Sequence, residues 1–281
     1  MSGKTSKTLT FAAFLFFLTF NAGCGSFFFS AKKEFTVDTA LEAYDYRDVY
    51  FPSYDGTRLN GYFFKGRGDK KGAVLFLHGY SENISTQARV ILWLVDAGYD
   101  VFIFDYRGHG RSEGDPSIGS VHGDAAAALD ELMNMKDADL DKGVFVFGQS
   151  MGGSIAVYTV AASKHKGAVK ALILDAPFAS FQRIAKERSF TTYKTRLLSY
   201  LVFLVDDSHN AIDWIGRVAP VPVLIAHGDK DEIVDIAHAY SLYEKALDPK
   251  ELWVVKDKGH ARIFEDADMR RRLLFYMDGK K

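Results

Sequence analysis

The sequence predicts an α/β fold, a mostly parallel central sheet with helices on both faces. Three observations predict it. From Gly72 onward, short apolar runs rich in β-branched and aromatic residues alternate with segments of helical periodicity. The runs are uninterrupted rather than alternating apolar and polar, as strands buried on both faces require. At Val144–Ile155, Val-Phe-Val-Phe-Gly-Gln-Ser-Met-Gly-Gly-Ser-Ile, one such run passes through Gly-x-Ser-x-Gly directly into a helical pattern.

The elements follow in order. Tyr46–Phe51 and Leu59–Phe64 are strand-like and flank Ser53-Tyr54-Asp55-Gly56, whose Asp-Gly pair is a turn signature; they predict an antiparallel entry hairpin. Ala73–Leu77 is a buried strand. Ser85–Ala97 places Val90, Ile91, Leu94 and Val95 on one helical face. Asp100–Asp105 is the next strand and Gly123–Met135 an alanine-rich helix. Val144–Phe147 follows as a strand, with its helix running to about Ser163. Val169–Leu174 and Val221–Ala226 are strands and Asp235–Leu247 a helix. Glu251–Val255 is the last strand and Ile263–Met277 the closing helix.

The interval from Pro177 to Pro220 breaks the rhythm, having no strand pattern. Its apolar run Leu197–Val205 is too short to span a bilayer. Two readings stay open there: a helix packed on the body of the domain, or a small lid over 178–219 whose apolar face lines an acyl pocket.

Composition narrows the function classes. A chain of 281 residues suits one large domain with a short appendage. Its formal net charge is -1 with Lys and Arg scattered, which argues against a nucleic-acid partner. The single cysteine, Cys24, rules out an intramolecular disulfide framework and a cysteine metal cluster. No His, Asp and Glu set has metal-ligand spacing, so neither metal nor cofactor is expected.

The first 24 residues read as an address. Lys4 and Lys7 precede the apolar Leu9–Phe20, and Asn21-Ala22-Gly23 leads to Cys24. This stretch resembles a bacterial lipoprotein signal, in which that cysteine is acylated and becomes the mature N-terminus. It departs from that pattern at Asn21, where an aliphatic residue is usual. Two alternatives are open: Leu9–Phe29 as an uncleaved transmembrane anchor, or an ordinary cleaved signal with a secreted product. All three place the following domain outside the cytoplasm, and the first two at a membrane of the cell envelope. Residues 25–44 are expected to be a tether and 45–281 the catalytic domain.

In an open α/β sheet, sites form beyond the carboxyl ends of the strands. Ala73–Leu77 ends in His78-Gly79-Tyr80, and Val144–Phe147 delivers Ser150. Val221–Ala226 ends in His227-Gly228-Asp229-Lys230-Asp231, and Glu251–Val255 in Lys256-Asp257-Lys258-Gly259-His260. A serine needs a base to act as a nucleophile near neutral pH, and His260 suits that task. An acid must fix the imidazole tautomer; Asp229 and Asp231 both qualify.

With these residues in hand, the chain resembles the α/β-hydrolase superfamily, among its compact lysophospholipase-, monoacylglycerol-lipase- and serine-aminopeptidase-like serine hydrolases. The resemblance runs from about Tyr46 to Met277. Besides the Gly-x-Ser-x-Gly elbow it rests on Asp105-Tyr106-Arg107-Gly108-His109-Gly110-Arg111-Ser112, on Gly228-x-x-Asp231-x-x-Val234 and on Gly259-His260. It implies an α/β-hydrolase fold with catalytic Ser150, Asp231 and His260 in the family's chain order, Asp229 remaining a rival acid. It also implies an oxyanion hole from the backbone N–H groups of Tyr80 and Met151. His78, His109 and His227 are expected to support these loops; His122, His165, His209 and His238 are expected at ordinary surface or helix positions.

The expected function is an exported, membrane-attached serine hydrolase that cleaves a small-molecule or lipid acyl ester through an acyl-enzyme intermediate. The alternatives are an aminopeptidase-like serine peptidase and a non-catalytic scaffold binding an envelope partner. An intact Ser150, Asp231 and His260 speaks against the scaffold.

Overall fold

Buried apolar strands and the Asp-Gly hairpin assemble as one sheet in the computed structural model, which describes residues 29, 31–36, 38–80, 82–189 and 205–279. The strands are β1 (Tyr46–Pro52), β2 (Arg58–Phe64), β3 (Ala73–Leu77), β4 (Asp100–Asp105), β5 (Val144–Gln149), β6 (Val169–Asp175), β7 (Val223–Gly228) and β8 (Lys250–Val255). Their order is β1-β2-β4-β3-β5-β6-β7-β8. The β1–β2 and β2–β4 pairs are antiparallel and all the others parallel, so every strand from β3 on points its carboxyl end the same way.

Every residue of β3, β4, β5 and β7 is buried. Side chains alternate between faces. Ala73, Leu75 and Leu77 enter one core, shared with α2 (Ile118–Asn134) and α3 (Met151–Ala162). Val74 and Phe76 enter the other, shared with α1 (Ile84–Asp96) and the closing helix. This two-sided burial is the physical reason the runs lack polar alternation.

Several boundaries differ from the sequence expectation. Helix α2 starts at Ile118 rather than Gly123, because Ser117 and Ser120 form a capping box that carries the helix across Gly119 and Gly123. Strand β7 starts at Val223 rather than Val221, since Pro222 has no N–H to offer the ladder. The closing helix divides into a 3-10 turn, Ile263–Glu265, and a helix, Ala267–Met277, whose N-cap Asp266 accepts from the N–H groups of Asp268 and Met269. The helix expected at Asp235–Leu247 spans Ala237–Lys245.

Within 177–220 the described residues form helices Phe181–Ser189 and Ala211–Trp214 and no strand. Val205 is buried, but residues 197–204 of the apolar run lie outside the described residues, as does Cys24. Among the described residues no helix is long and apolar enough to cross a membrane. The stretch expected as a tether is tied to the domain: the Gly110 N–H donates to the Lys32 carbonyl at 2.9 Å and Thr36 N–H to Ser85 Oγ at 3.0 Å.

Candidate active site

The site starts from backbone geometry at the end of β5. Ser150 adopts φ 54° and ψ -119°, a strained conformation for a side-chain-bearing residue. Its backbone N–H donates to the Asp175 carbonyl at 2.8 Å, tying the turn to the end of β6. The elbow glycines answer to close approach: a Cβ on Gly152 would collide with the carbonyl oxygens of Leu77 and His78. Ser150 is left at the N-terminus of α3, facing the mouth of a cavity of about 550 Å³.

The neighbouring strand ends bring the other groups to it. His260 Nε2 lies 2.8 Å from Ser150 Oγ, and His260 Nδ1 lies 2.7 Å from Asp231 Oδ2. Asp229 is not part of this run; its Oδ1 accepts the backbone N–H of Asp257 at 2.6 Å. The second oxygen of Asp231 accepts the N–H groups of Ile233 and Val234, both at 2.9 Å. Burial opposes the charge on Asp231, but the hydrogen bonds from His227, His260 and the Val234 backbone hold its carboxyl well below the usual carboxylate range. A carboxylate so held keeps the imidazole Nδ1–H pointing at it and leaves Nε2 to take a proton from the serine.

Tyr80 and Met151 both line the cavity, and Met151 is the first residue of α3. The loop carrying Tyr80 lies against the serine: a Cβ on Gly79 would stand 3.6 Å from Ser150 Cβ. The remaining wall is mixed, with Phe178, Ile184, Ala185, Ile233 and Val234 beside Glu82, Gln87 and Arg188. Among the described residues no cluster of His, Cys, Asp and Glu could hold a metal ion.

The structure adds residues that the sequence analysis did not single out. Asp175 closes β6 beneath the site, fully buried, and burial raises its carboxyl to about 6. Gln149 bridges it to the histidine loop, donating to Asp175 Oδ2 at 3.1 Å and to the Ala261 carbonyl at 3.2 Å. The rule that located Ser150 and His260, inspection of each strand's carboxyl end, points to Asp175 as well. Arg107 of the glycine-rich loop is anchored by Asp124 at 2.7 Å and by Asp55 at 2.7 Å, a pairing between remote segments with no sequence signature.

Two of the histidines expected at surface or helix positions lie on helices and are fully buried. His122 is fully buried, its ring 4.6 Å from that of His209 and 5.4 Å from that of Tyr158; burial pushes it down to about 3. His238 is fully buried too, accepting the Ala179 N–H at 3.0 Å on Nδ1 and meeting Glu187 at 2.8 Å. Their partners come from segments far away in the chain, which helical periodicity does not reveal. His78 and His109 are buried behind the Tyr80 loop, their rings 5.6 Å apart, and burial lowers both.

The fold is shared with known proteins. A family model described as serine aminopeptidase, S33, matches residues 68–203. The Escherichia coli (strain K12) protein YfhR, itself uncharacterized, is 32% identical over 222 residues, covering 78% of this chain and 74% of its own. The Arabidopsis thaliana alpha/beta hydrolase domain-containing protein WAV2 is 33% identical over 223 residues, covering 76% and 71%. Among solved structures, the Pyrococcus furiosus esterase Pf2001 superposes with a TM-score of 0.72 at 21% identity, over 89% of this chain and 97% of that one.

Proposed function

Because this chain belongs to the α/β hydrolases and the serine aminopeptidase, S33, model matches its residues 68–203, we propose that it is a serine hydrolase acting on an acyl ester, with Ser150, His260 and Asp231 as its triad. The observation that carries the reading is the unbroken run from Ser150 Oγ to His260 Nε2, 2.8 Å, and from His260 Nδ1 to Asp231 Oδ2, 2.7 Å.

In this mechanism Ser150 Oγ bonds to the acyl carbon as its proton passes to His260 Nε2. The carbonyl oxygen becomes an oxyanion, held by the backbone N–H groups of Met151 and Tyr80. Collapse breaks the bond to the alcohol, which leaves with the proton from Nε2. Water then gives a proton to His260 and attacks the acyl-enzyme. The carboxylic acid departs and Ser150 regains its hydrogen. Asp231 stays ionised throughout and stabilises the imidazolium.

An ester substrate is supported by the apolar wall of Phe178, Ile184, Ile233 and Val234 beside Ser150 and by the esterase among the structural neighbours. The family description keeps an aminoacyl amide as the second reading. We place the enzyme outside the cytoplasm, attached to a membrane of the cell envelope through acylated Cys24, on the pattern of residues 1–24.

A fluorophosphonate probe tests the nucleophile. Ser150→Ala is expected to abolish labelling. Ser154→Ala is expected to retain it, because Ser154 Oγ is already engaged at 2.7 Å with the Phe178 carbonyl. Undiminished labelling of Ser150→Ala overturns the assignment. Turnover of acyl esters beside aminoacyl amides then separates the two substrate readings.

A further inference from the structure

The segment before β1 determines where the N-terminus leaves the fold. Phe29 is buried in the core on one face of the sheet, while Phe35 packs edge-on against Tyr62 on the other, ring centroids 6.2 Å apart. Between them the chain crosses the carboxyl-end edge of the sheet, and the crossing is hydrogen-bonded. The Lys32 carbonyl accepts from the Gly110 N–H at 2.9 Å and from Asn83 Nδ2 at 3.0 Å. The Glu34 carbonyl accepts from the same Asn83 Nδ2 at 2.8 Å, and Asn83 is fully buried. Lys33 Nζ donates to the Ser112 carbonyl at 2.8 Å.

This crossing runs beside the candidate active site. Lys32 Nζ lies 3.7 Å from the carboxylate of Glu82, which lines the Ser150 cavity. The chain ahead of β1 is therefore tied to the domain beside one side of the cavity. Twenty-eight residues precede Phe29, including the apolar stretch Leu9–Phe20 and Phe27-Phe28. From Cys24 to Phe29 a fully extended chain reaches at most about 18 Å. The rim also exposes apolar surface: Tyr80 is 40% and Ile233 48% exposed, and both line the cavity.

We propose that the rim of the Ser150 cavity is a membrane-contact surface, its occupant a phospholipid bilayer, so that the mouth faces the membrane and draws an amphiphilic acyl ester from it. The proposal rests on the N-terminal membrane attachment proposed above. A short, docked connection fixes the orientation, whereas a long free tether would let the domain turn any face to the lipid.

The test uses the full chain bound to vesicles of phosphatidylethanolamine and phosphatidylglycerol. The photo-crosslinker p-benzoylphenylalanine is placed at Ile233 or Glu82 on the rim. A third variant carries it at Leu247, which is 59% exposed and precedes β8 at the opposite edge of the sheet. A cooperative thermal unfolding transition followed by circular dichroism confirms that each variant is folded. Lipid adducts at positions 233 and 82, and none at 247, are expected. Equal adducts at the two edges, or adducts at 247 alone, overturn the orientation while leaving attachment standing. A full chain that labels with fluorophosphonate yet does not float with vesicles overturns the attachment and this proposal together, and leaves the hydrolase reading intact.

Discussion

His227 Nε2 lies 3.3 Å from Asp231 Oδ2, the same oxygen that meets His260 Nδ1. The two residues sit four apart at the end of β7, and both side chains are fully buried. His227 Nε2 also lies 2.9 Å from the Val234 carbonyl, which orients the ring. Asp231 is thus held between two histidines, one toward solvent and the serine, the other in the core.

A positioning role for His227 follows. His227→Ala is expected to lower kcat about ten- to hundredfold, the equivalent of ~1.5–3 kcal/mol for a hydrogen bond to a charged group, with little change in KM. His227→Gln, which keeps an N–H donor, recovers part of the loss. Steady-state kinetics of the two variants decide it: equal losses, or an effect on KM alone, contradict the role.

Asp231→Asn and Asp229→Asn are expected to differ sharply. Loss of the Asp231 carboxylate leaves the imidazole in the wrong tautomer and costs turnover by on the order of 10⁴. Asp229 serves only the Asp257 backbone, and its replacement is expected to be mild. Reversed effects in the same kinetic assay would make Asp229 the triad acid.

Stability is expected to fall on acidification. Burial lowers His78 and His122 to about 3 and also lowers His109, His209 and His238. The unfolded chain protonates such groups near 6.5, so their contribution is intact above that pH and is lost as pH falls toward about 3. Asp105, raised by burial to about 7, and Asp175, raised to about 6, act oppositely. Their contribution is present below about 4 and is lost as pH rises through those values. With five groups against two, the urea midpoint is expected to drop between pH 6.5 and pH 4.5. Asp105→Asn is expected to raise stability at pH 8 more than at pH 5. A midpoint that rises on acidification, or an Asp105→Asn effect independent of pH, contradicts this account.

Asp124→Asn is expected to be strongly destabilising. Asp124 is fully buried, and its partner Arg107 would keep its charge while losing its buried anion, with only the exposed Asp55 left beside it. Breaking one side of a buried pair costs about 3–5 kcal/mol, which for a domain of this size lowers Tm by roughly 10 °C. Thermal unfolding reads it directly; a shift within experimental scatter means that Asp55 alone suffices for Arg107.

Cys24 decides the attachment. The wild-type chain is expected to be processed to a mature N-terminus at Cys24 carrying added acyl mass, and Cys24→Ser to persist as a heavier precursor. Intact-mass measurement distinguishes the cases. Two full-length, unprocessed chains indicate an uncleaved anchor, and processing of both at a site other than Cys24 indicates ordinary secretion; either outcome defeats the lipoprotein reading.

The parallel sheet was legible because each buried strand is a contiguous run, and strand burial on both faces leaves a pattern in consecutive residues. The elbow was legible for the same reason, since its strain and its glycines fall within five positions, Gly148 to Gly152. Placing functional residues at strand ends extended that local logic to His260 and to the pair Asp229 and Asp231. What the sequence by itself determined was therefore the fold class, a candidate serine, a candidate histidine and a choice of two candidate acids. The tertiary structure decided which carboxylate meets His260, that His227 shares it, that Arg107 is anchored by Asp124, and that the chain ahead of β1 crosses the sheet edge beside the cavity. Each of these depends on the direction of a side chain or on a contact between residues far apart in the chain. Such contacts are set by how the strands pack, and the one-dimensional pattern that encodes strands and turns carries no record of them.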